Sequence, residues 1–215
     1  MTWSARRNRW LAVMSIGAAV PLMLPNLVRG GRPTGTGQEA DKPDSRREMI
    51  GVLPAPGPHP SLGDRAALFD HFVGTWDTDY TFYAADGTMS RRSGEVLFGW
   101  IIDGRALQDI WISYPTDAER DLGTTVRFYD AKTATWRVVW VHPAGGTITT
   151  LNGGAVGDRI VLRGQGNDGS LLRWSFNDIQ ADSFLWRGET SHDSGETWRL
   201  TGEYRMKRRT PGAHP

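Results

Sequence analysis

The chain has 215 residues, 39% of them hydrophobic, and a formal net charge of +1 at pH 7, which suits one domain plus an extension. Near-neutrality excludes a global field that would draw nucleic acid or membrane. The absence of cysteine excludes disulfides, thiolate nucleophiles and thiolate metal sites. Residues 1–58 carry 8 Arg and Lys against 4 Asp and Glu, and the remaining 157 carry 17 against 20. The folded part is therefore mildly acidic, and nucleic acid is not an expected partner.

Arg6, Arg7 and Arg9 precede an apolar stretch from Trp10 to Val28. The charged start resembles a twin-arginine export signal. Pro21 and Pro25 interrupt the stretch, and no small-x-small cleavage site follows it. A bilayer span needs about 20 mostly apolar residues, so stable membrane insertion is not expected. The alternative is an upstream extension with a working start at Met49, which implies a cytoplasmic protein. Residues 1–62 are read as an extension and Pro-rich linker, and 63–209 as the folded domain. Asp64 is predicted as an N-cap, with a short helix over Arg65–Phe72 facing Ala67, Leu68 and Phe72 inward.

From Gly74 onward, strand-like runs alternate with turn signals. Thr75–Tyr83 places Trp76, Thr78, Tyr80 and Phe82 on one face. Ser90–Trp100 and Arg105–Tyr114 follow, joined by a turn at Ile101–Gly104. A polar loop is expected at Thr116–Asp121. Thr124–Asp130 and Thr135–His142 form a hairpin, and Thr147–Leu151 ends at the turn signal Asn152-Gly153-Gly154. Arg159–Arg163, Leu171–Phe176, Ser183–His192 and Thr197–Met206 complete about ten strands. Short connections favour antiparallel neighbours, and a meander of this length removes its edges by closing. The expected fold is all-β: an antiparallel up-and-down β-barrel with one short N-terminal helix, and with room inside for a small ligand.

Three segments carry a family resemblance. Leu68–Trp76 (LFDHFVGTW) is similar to the opening of lipocalin and fatty-acid-binding-like proteins, the calycin superfamily. Gly99–Gln108 (GWIIDGRALQ) and Phe184–Trp198 (FLWRGETSHDSGETW) resemble a bacterial lipocalin-like family of the DUF1579 type. The resemblance spans about residues 66–208. It implies a barrel with an internal cavity, with Trp76 closing one end. Calycins include carriers, haem binders and cofactor-free enzymes. The Gly-rich haem motif of nitrobindins is absent, since Asp77-Thr78-Asp79 follows Trp76.

Eight of the ten tryptophans lie between residues 76 and 198. They either line a pocket or fill the core. Trp76 and Trp198 are read as sealing the barrel. Trp100, Trp111, Trp140 and Trp186 are the ligand-binding candidates, with Gln108 as a polar companion. His142 shares a face with Trp140 at a strand end, where a barrel mouth would lie, and histidine is the natural acid/base near neutral pH. Arg127 faces inward if Val126 and Phe128 face outward, and would then steady a carboxylate or enolate oxygen. One of Gln108 and Asp109 must face the interior. His142, Asp109 and Arg127 are thus the catalytic candidates.

No two histidines have HxH or HxxxH spacing, so no metal site is expected. There is no Gly-x-Ser-x-Gly elbow and no phosphate-binding loop. No cofactor is expected. The expected partner is a small hydrophobic or aromatic molecule; the oligomeric state is left open, a homodimer included. The functional readings are a binding module, a cofactor-independent isomerase, cyclase or lyase working in the same cavity, and a secreted interaction or stress protein with no small ligand.

Overall fold

The computed structural model describes residues 45–210. The N-terminal signal or extension therefore lies outside the described residues. Ten antiparallel strands close into one barrel: β1 (Gly74–Tyr83), β2 (Met89–Ile101), β3 (Ala106–Thr116), β4 (Glu119–Asp130), β5 (Thr135–His142), β6 (Thr147–Val156), β7 (Arg159–Gln165), β8 (Leu171–Asn177), β9 (Ser183–Ser191) and β10 (Arg199–Arg208). Each strand pairs with its sequence neighbours, and β1 pairs with β10, Trp76 opposite Arg208. The expected up-and-down barrel is the observed one. Among the described residues no helix is long and apolar enough to cross a membrane.

Closure leaves no free sheet edge, so every strand satisfies its backbone groups on both sides. Side chains then alternate between an apolar interior and solvent. On β1, Trp76, Thr78 and Tyr80 are buried while Asp77 and Asp79 are exposed.

One end of the barrel is sealed. A 3-10 turn over Pro60–Ala66 runs into the one-turn helix α2 (Ala67–Asp70). The 3-10 turn is capped by His59, whose ring nitrogen accepts from the Ser61 N–H, and α2 starts from Ala66 with no side-chain cap, so Asp64 is not the N-cap predicted. The buried positions are Leu62, Ala66, Phe69 and Phe72, whereas Ala67 is exposed. The tight 3-10 winding shifts the inward stripe away from the 3.6-residue period assumed from sequence. Phe69 and Phe72 are fully buried and pack against Trp136, Phe176 and Phe184. Burial of each contributes about 1.5–3 kcal/mol.

Two indoles tie this plug to the wall. The Trp76 Nε1–H donates to the Phe72 carbonyl at 2.7 Å, and the Trp100 Nε1–H to Asp70 Oδ1 at 2.7 Å. Arg208 donates to the Val73 carbonyl at 2.8 Å and to the His71 carbonyl, with its guanidinium 4.2 Å above the Trp76 ring.

The preceding Pro-rich segment is docked on the barrel. A helix α1 (Ser45–Val52) leads to Pro54, which bridges to Ile101. The Ala55 N–H donates to the Trp100 carbonyl at 2.8 Å, and the His59 N–H to the Gly104 carbonyl at 2.9 Å. The β2–β3 turn holds Ile102, Asp103 and Gly104 at φ of 52°, 58° and 73°. A Cβ at Gly104 would stand 2.3 Å from the Gly57 carbonyl oxygen. Only glycine admits both that backbone conformation and that approach.

Two sequence expectations fail locally. Thr116–Asp121 is not a loop: Thr116 pairs with Glu119, and β4 begins there. Polar residues extend these strands past the barrel rim, where both faces meet water. Asn152-Gly153-Gly154 is not a turn but the middle of β6, paired with Trp136, Arg137 and β7. A Cβ at Gly153 would stand 2.0 Å from the Val161 carbonyl oxygen, so the glycine marks a close strand approach.

Candidate functional site

Away from the plug, the interior holds a cavity of about 250 Å³ that opens toward the other barrel end. Its deep part is walled by Val96, Phe98, Leu162, Phe176, Phe184 and Met206. Its outer part is walled by Phe82, Trp111, Trp140, Trp174, Trp186 and Tyr204. Trp140, Trp174, Trp186 and Tyr204 are only half-buried.

Five of these outer rings and the buried Tyr80 form a closed belt. Trp111 meets Trp140 edge-on at 5.8 Å between centroids, Trp140 meets Trp174 at 6.4 Å, and Trp174 meets Trp186 at 5.4 Å. Trp186 stacks on Tyr204 at 4.3 Å, Tyr204 meets Tyr80 at 4.6 Å, and Tyr80 returns to Trp111 at 5.2 Å. Offset and edge-on contacts of this kind hold rings in fixed orientations. The belt exists because inward glycines lie beside the indoles. A Cβ at Gly123 would stand 2.1 Å from Trp140 Cη2, and one at Gly188 2.7 Å from Trp186 Cη2. A barrel of this size fills its interior by alternating large and small residues. Here the small ones are glycine, and the indoles lie over them.

One wall is polar. Asp109 on β3 and Arg127 on β4 both point inward, 5% and 3% exposed. Arg127 Nη2 donates to Asp109 Oδ2 at 2.5 Å. The guanidinium sits 5.3 Å from the Phe69 ring and 5.4 Å from the Phe98 ring, within cation–π range of both. Burial pushes the Asp109 carboxyl above its usual range, and the Arg127 charge and the Thr125 hydrogen bonds pull it back. Arg127 Nε and Nη1 and Trp111 Nε1 are buried donors with no protein acceptor. Buried polar groups are ordinarily paired, so three orphan donors on two residues that line the cavity mark a place where an acceptor is missing.

His142 stands at the mouth. Its Nε2 lies 2.8 Å from Asp121 Oδ1, and its ring stacks on Trp140 at 5.8 Å. Its Nδ1 edge lies against the β5–β6 turn, where a Cβ at Gly145 would be 2.4 Å away. The histidine thus presents a ring face to the cavity, with Nε2 engaged by Asp121. Burial also raises the phenols of Tyr80 and Tyr204 above their ordinary range.

Of the residues singled out from sequence, His142, Asp109, Arg127, Trp111, Trp140 and Trp186 come together around this cavity. Trp100 and Gln108 do not. Trp100 faces inward but too deep, with its N–H spent on Asp70 at the plug. Gln108 has the opposite parity to Asp109 and donates to Thr124 Oγ1 at 2.9 Å on the outer face. Trp198 does not seal the barrel. It lies in the β9–β10 turn, its N–H on the Gly195 carbonyl, beneath the Arg173 guanidinium at 4.1 Å. Trp174 and Tyr204 went unselected; their parity with Phe176 and Met206 on the same strands was the available signal. Among the described residues no group of three or more His, Asp or Glu side chains is placed to hold a metal ion.

The fold and site together define a ten-stranded antiparallel up-and-down barrel with an aromatic-walled internal cavity. No family model and no curated protein sequence matches the chain. Solved structures do match. The S-type phycobiliprotein lyase CPES from Guillardia theta aligns with a TM-score of 0.51 at 11% identity, over 67% of this chain and 92% of that one. Rv2717c from M. tuberculosis aligns with a TM-score of 0.52 at 16% identity, over 71% of this chain and 99% of that one. At these identities the likeness is one of fold.

Proposed function

We propose that this chain binds a small hydrophobic or aromatic organic molecule inside the barrel. The observation that carries this reading is the belt of six rings around a cavity of about 250 Å³. A mostly apolar concavity with a few convergent polar groups is the usual form of a small-molecule site. The shared fold with a phycobiliprotein lyase supports a barrel that admits an organic guest. The three motifs over residues 66–208 support placing the chain with the DUF1579-type lipocalin-like proteins. A cytoplasmic location, with twin-arginine-like export as the alternative, is tested by N-terminal sequencing of the mature protein.

Tryptophan fluorescence tests the binding reading. A panel of aromatic and lipophilic compounds should include some that quench saturably, and the quenching should vanish in Trp140→Ala. Absence of saturable quenching by every compound overturns the reading.

A cofactor-independent isomerase, cyclase or lyase is the second reading. What favours it is Asp109, a buried carboxyl raised by desolvation beside a guanidinium with unshared donors. Asp109 would move the proton and Arg127 would steady a developing oxyanion. The engaged Nε2 of His142 supports a wall role for that residue. His142→Ala separates the two: loss of turnover with binding intact restores it as the acid/base.

A further inference from the structure

Resting on the binding reading above, we propose that the guest is a one- or two-ring aromatic molecule carrying a neutral carbonyl oxygen, received by the unshared N–H groups of Arg127. Three observations converge on this.

The first is size. A cavity of about 150 Å³ holds one benzene. The cavity here is about 250 Å³, room for about ten non-hydrogen atoms by that proportion. That is one fused bicycle within the walls of the barrel.

The second is the donor surplus. A guanidinium has five N–H donors in a fixed fork and no acceptor. Asp109 takes one edge through Nη2. Nε and Nη1 are left without a partner, as is Trp111 Nε1. The remaining walls are mainly aromatic and aliphatic, with Thr125, His142, the Tyr204 hydroxyl and the indole N–H groups of Trp140, Trp174 and Trp186 the other polar groups. The wall therefore offers donors, and a complementary guest brings an acceptor.

The third is charge. The lining holds one fixed cation and one carboxylate, already paired with each other. A guest carboxylate would be a second buried anion with no free counter-charge, and an unpaired buried charge is strongly disfavoured. A carbonyl oxygen accepts from the same donors and adds no charge. The rings of the guest then lie at the level of the belt, with the oxygen turned toward Arg127.

The experiment uses the full chain and three probes of matched shape: indane, 1-indanone and indane-1-carboxylate. Affinities are read by tryptophan quenching and calorimetry. The expected order is 1-indanone tightest, about tenfold or more over indane, with the carboxylate weaker than the ketone. In the paired variant Asp109→Leu/Arg127→Met, which removes both charges at similar volume, indane and 1-indanone should bind alike. Equal binding of indane and 1-indanone by the natural chain overturns the inference and leaves the binding reading standing. So does tightest binding by the carboxylate. Failure of all three probes to bind overturns the inference, and the wider panel above then decides the binding reading separately. Should the paired variant not fold, the carbonyl stretch of bound, carbonyl-labelled 1-indanone decides. A frequency below that of the ketone in water supports the contact, and one at or above the water value overturns it.

Discussion

Gly123 and Trp140 share one space inside the barrel: a Cβ on the glycine would lie 2.1 Å from Cη2 of the indole. The aromatic belt thus depends on a missing side chain as much as on the rings present. Gly123→Ala should force Trp140 out of its place at a cost of about 1–3 kcal/mol, the usual penalty for overpacking. Urea unfolding should show the loss of stability. The emission maximum should move to the red as the indole meets water, and a variant with unchanged stability and emission would contradict the packing described.

The Asp109–Arg127 pair gives a second prediction. Asp109→Leu alone leaves a buried guanidinium without its partner and should cost about 3–5 kcal/mol. Adding Arg127→Met should recover most of that loss, because a well-packed apolar pair of similar volume is often as stable as the ion pair it replaces. A double-mutant cycle by chemical denaturation measures the coupling.

The tyrosines predict a pH dependence. Burial raises Tyr80 and Tyr204 above the ordinary phenol value of about 10. The neutral form is favoured in the folded state, so the stability these groups contribute is fully present below the unfolded pKa. It is lost as pH rises from about 10 toward the folded values. In absorbance titration near pH 11, part of the five-tyrosine signal should stay un-ionised and appear only on alkaline unfolding. Full ionisation with the barrel still folded would contradict the burial.

The two indoles at the plug should differ. Trp76→Phe strands the Phe72 carbonyl in the core and opens space, at a cost of about 2–4 kcal/mol. Trp100→Phe frees Asp70, which is exposed and can turn to water. The bond lost there should contribute about 1 kcal/mol, apart from the cost of the smaller ring. Thermal unfolding of the two variants tests the ordering.

The strands were legible because apolar alternation and turn residues pointed the same way, as in Thr135–His142, whose bounds are those expected. Glycine was the ambiguous letter. Asn152-Gly153-Gly154 read as a turn, since sequence does not separate a glycine that bends the chain from one that makes room beside a neighbouring strand. Facing was legible where one parity was wholly apolar and illegible at Gln108 and Asp109, where both were polar. Arg127 faces inward, and the opposite parity at Phe128 is outward and partly exposed. Depth along a strand was not legible at all: Trp100 has inward parity, yet only its bond to Asp70 places it at the plug. The orphan donors of Arg127 and Trp111 have no sequence signature, because they are defined by what fails to approach them.

The seam between β1 and β10 bears on how the molecule is made. The strand that completes the barrel is the last of the ten, and it pairs with the first across more than a hundred residues, Trp76 with Arg208. A nascent chain that has exposed only β1 to β9 therefore presents two unsatisfied edges, on β1 and on β9. Arg208 also holds the plug through the His71 and Val73 carbonyls, so wall and cap are secured by the same arriving strand. Closure accordingly waits for β10, and a chain ending before it would leave an open sheet with two unpaired edges, not this barrel.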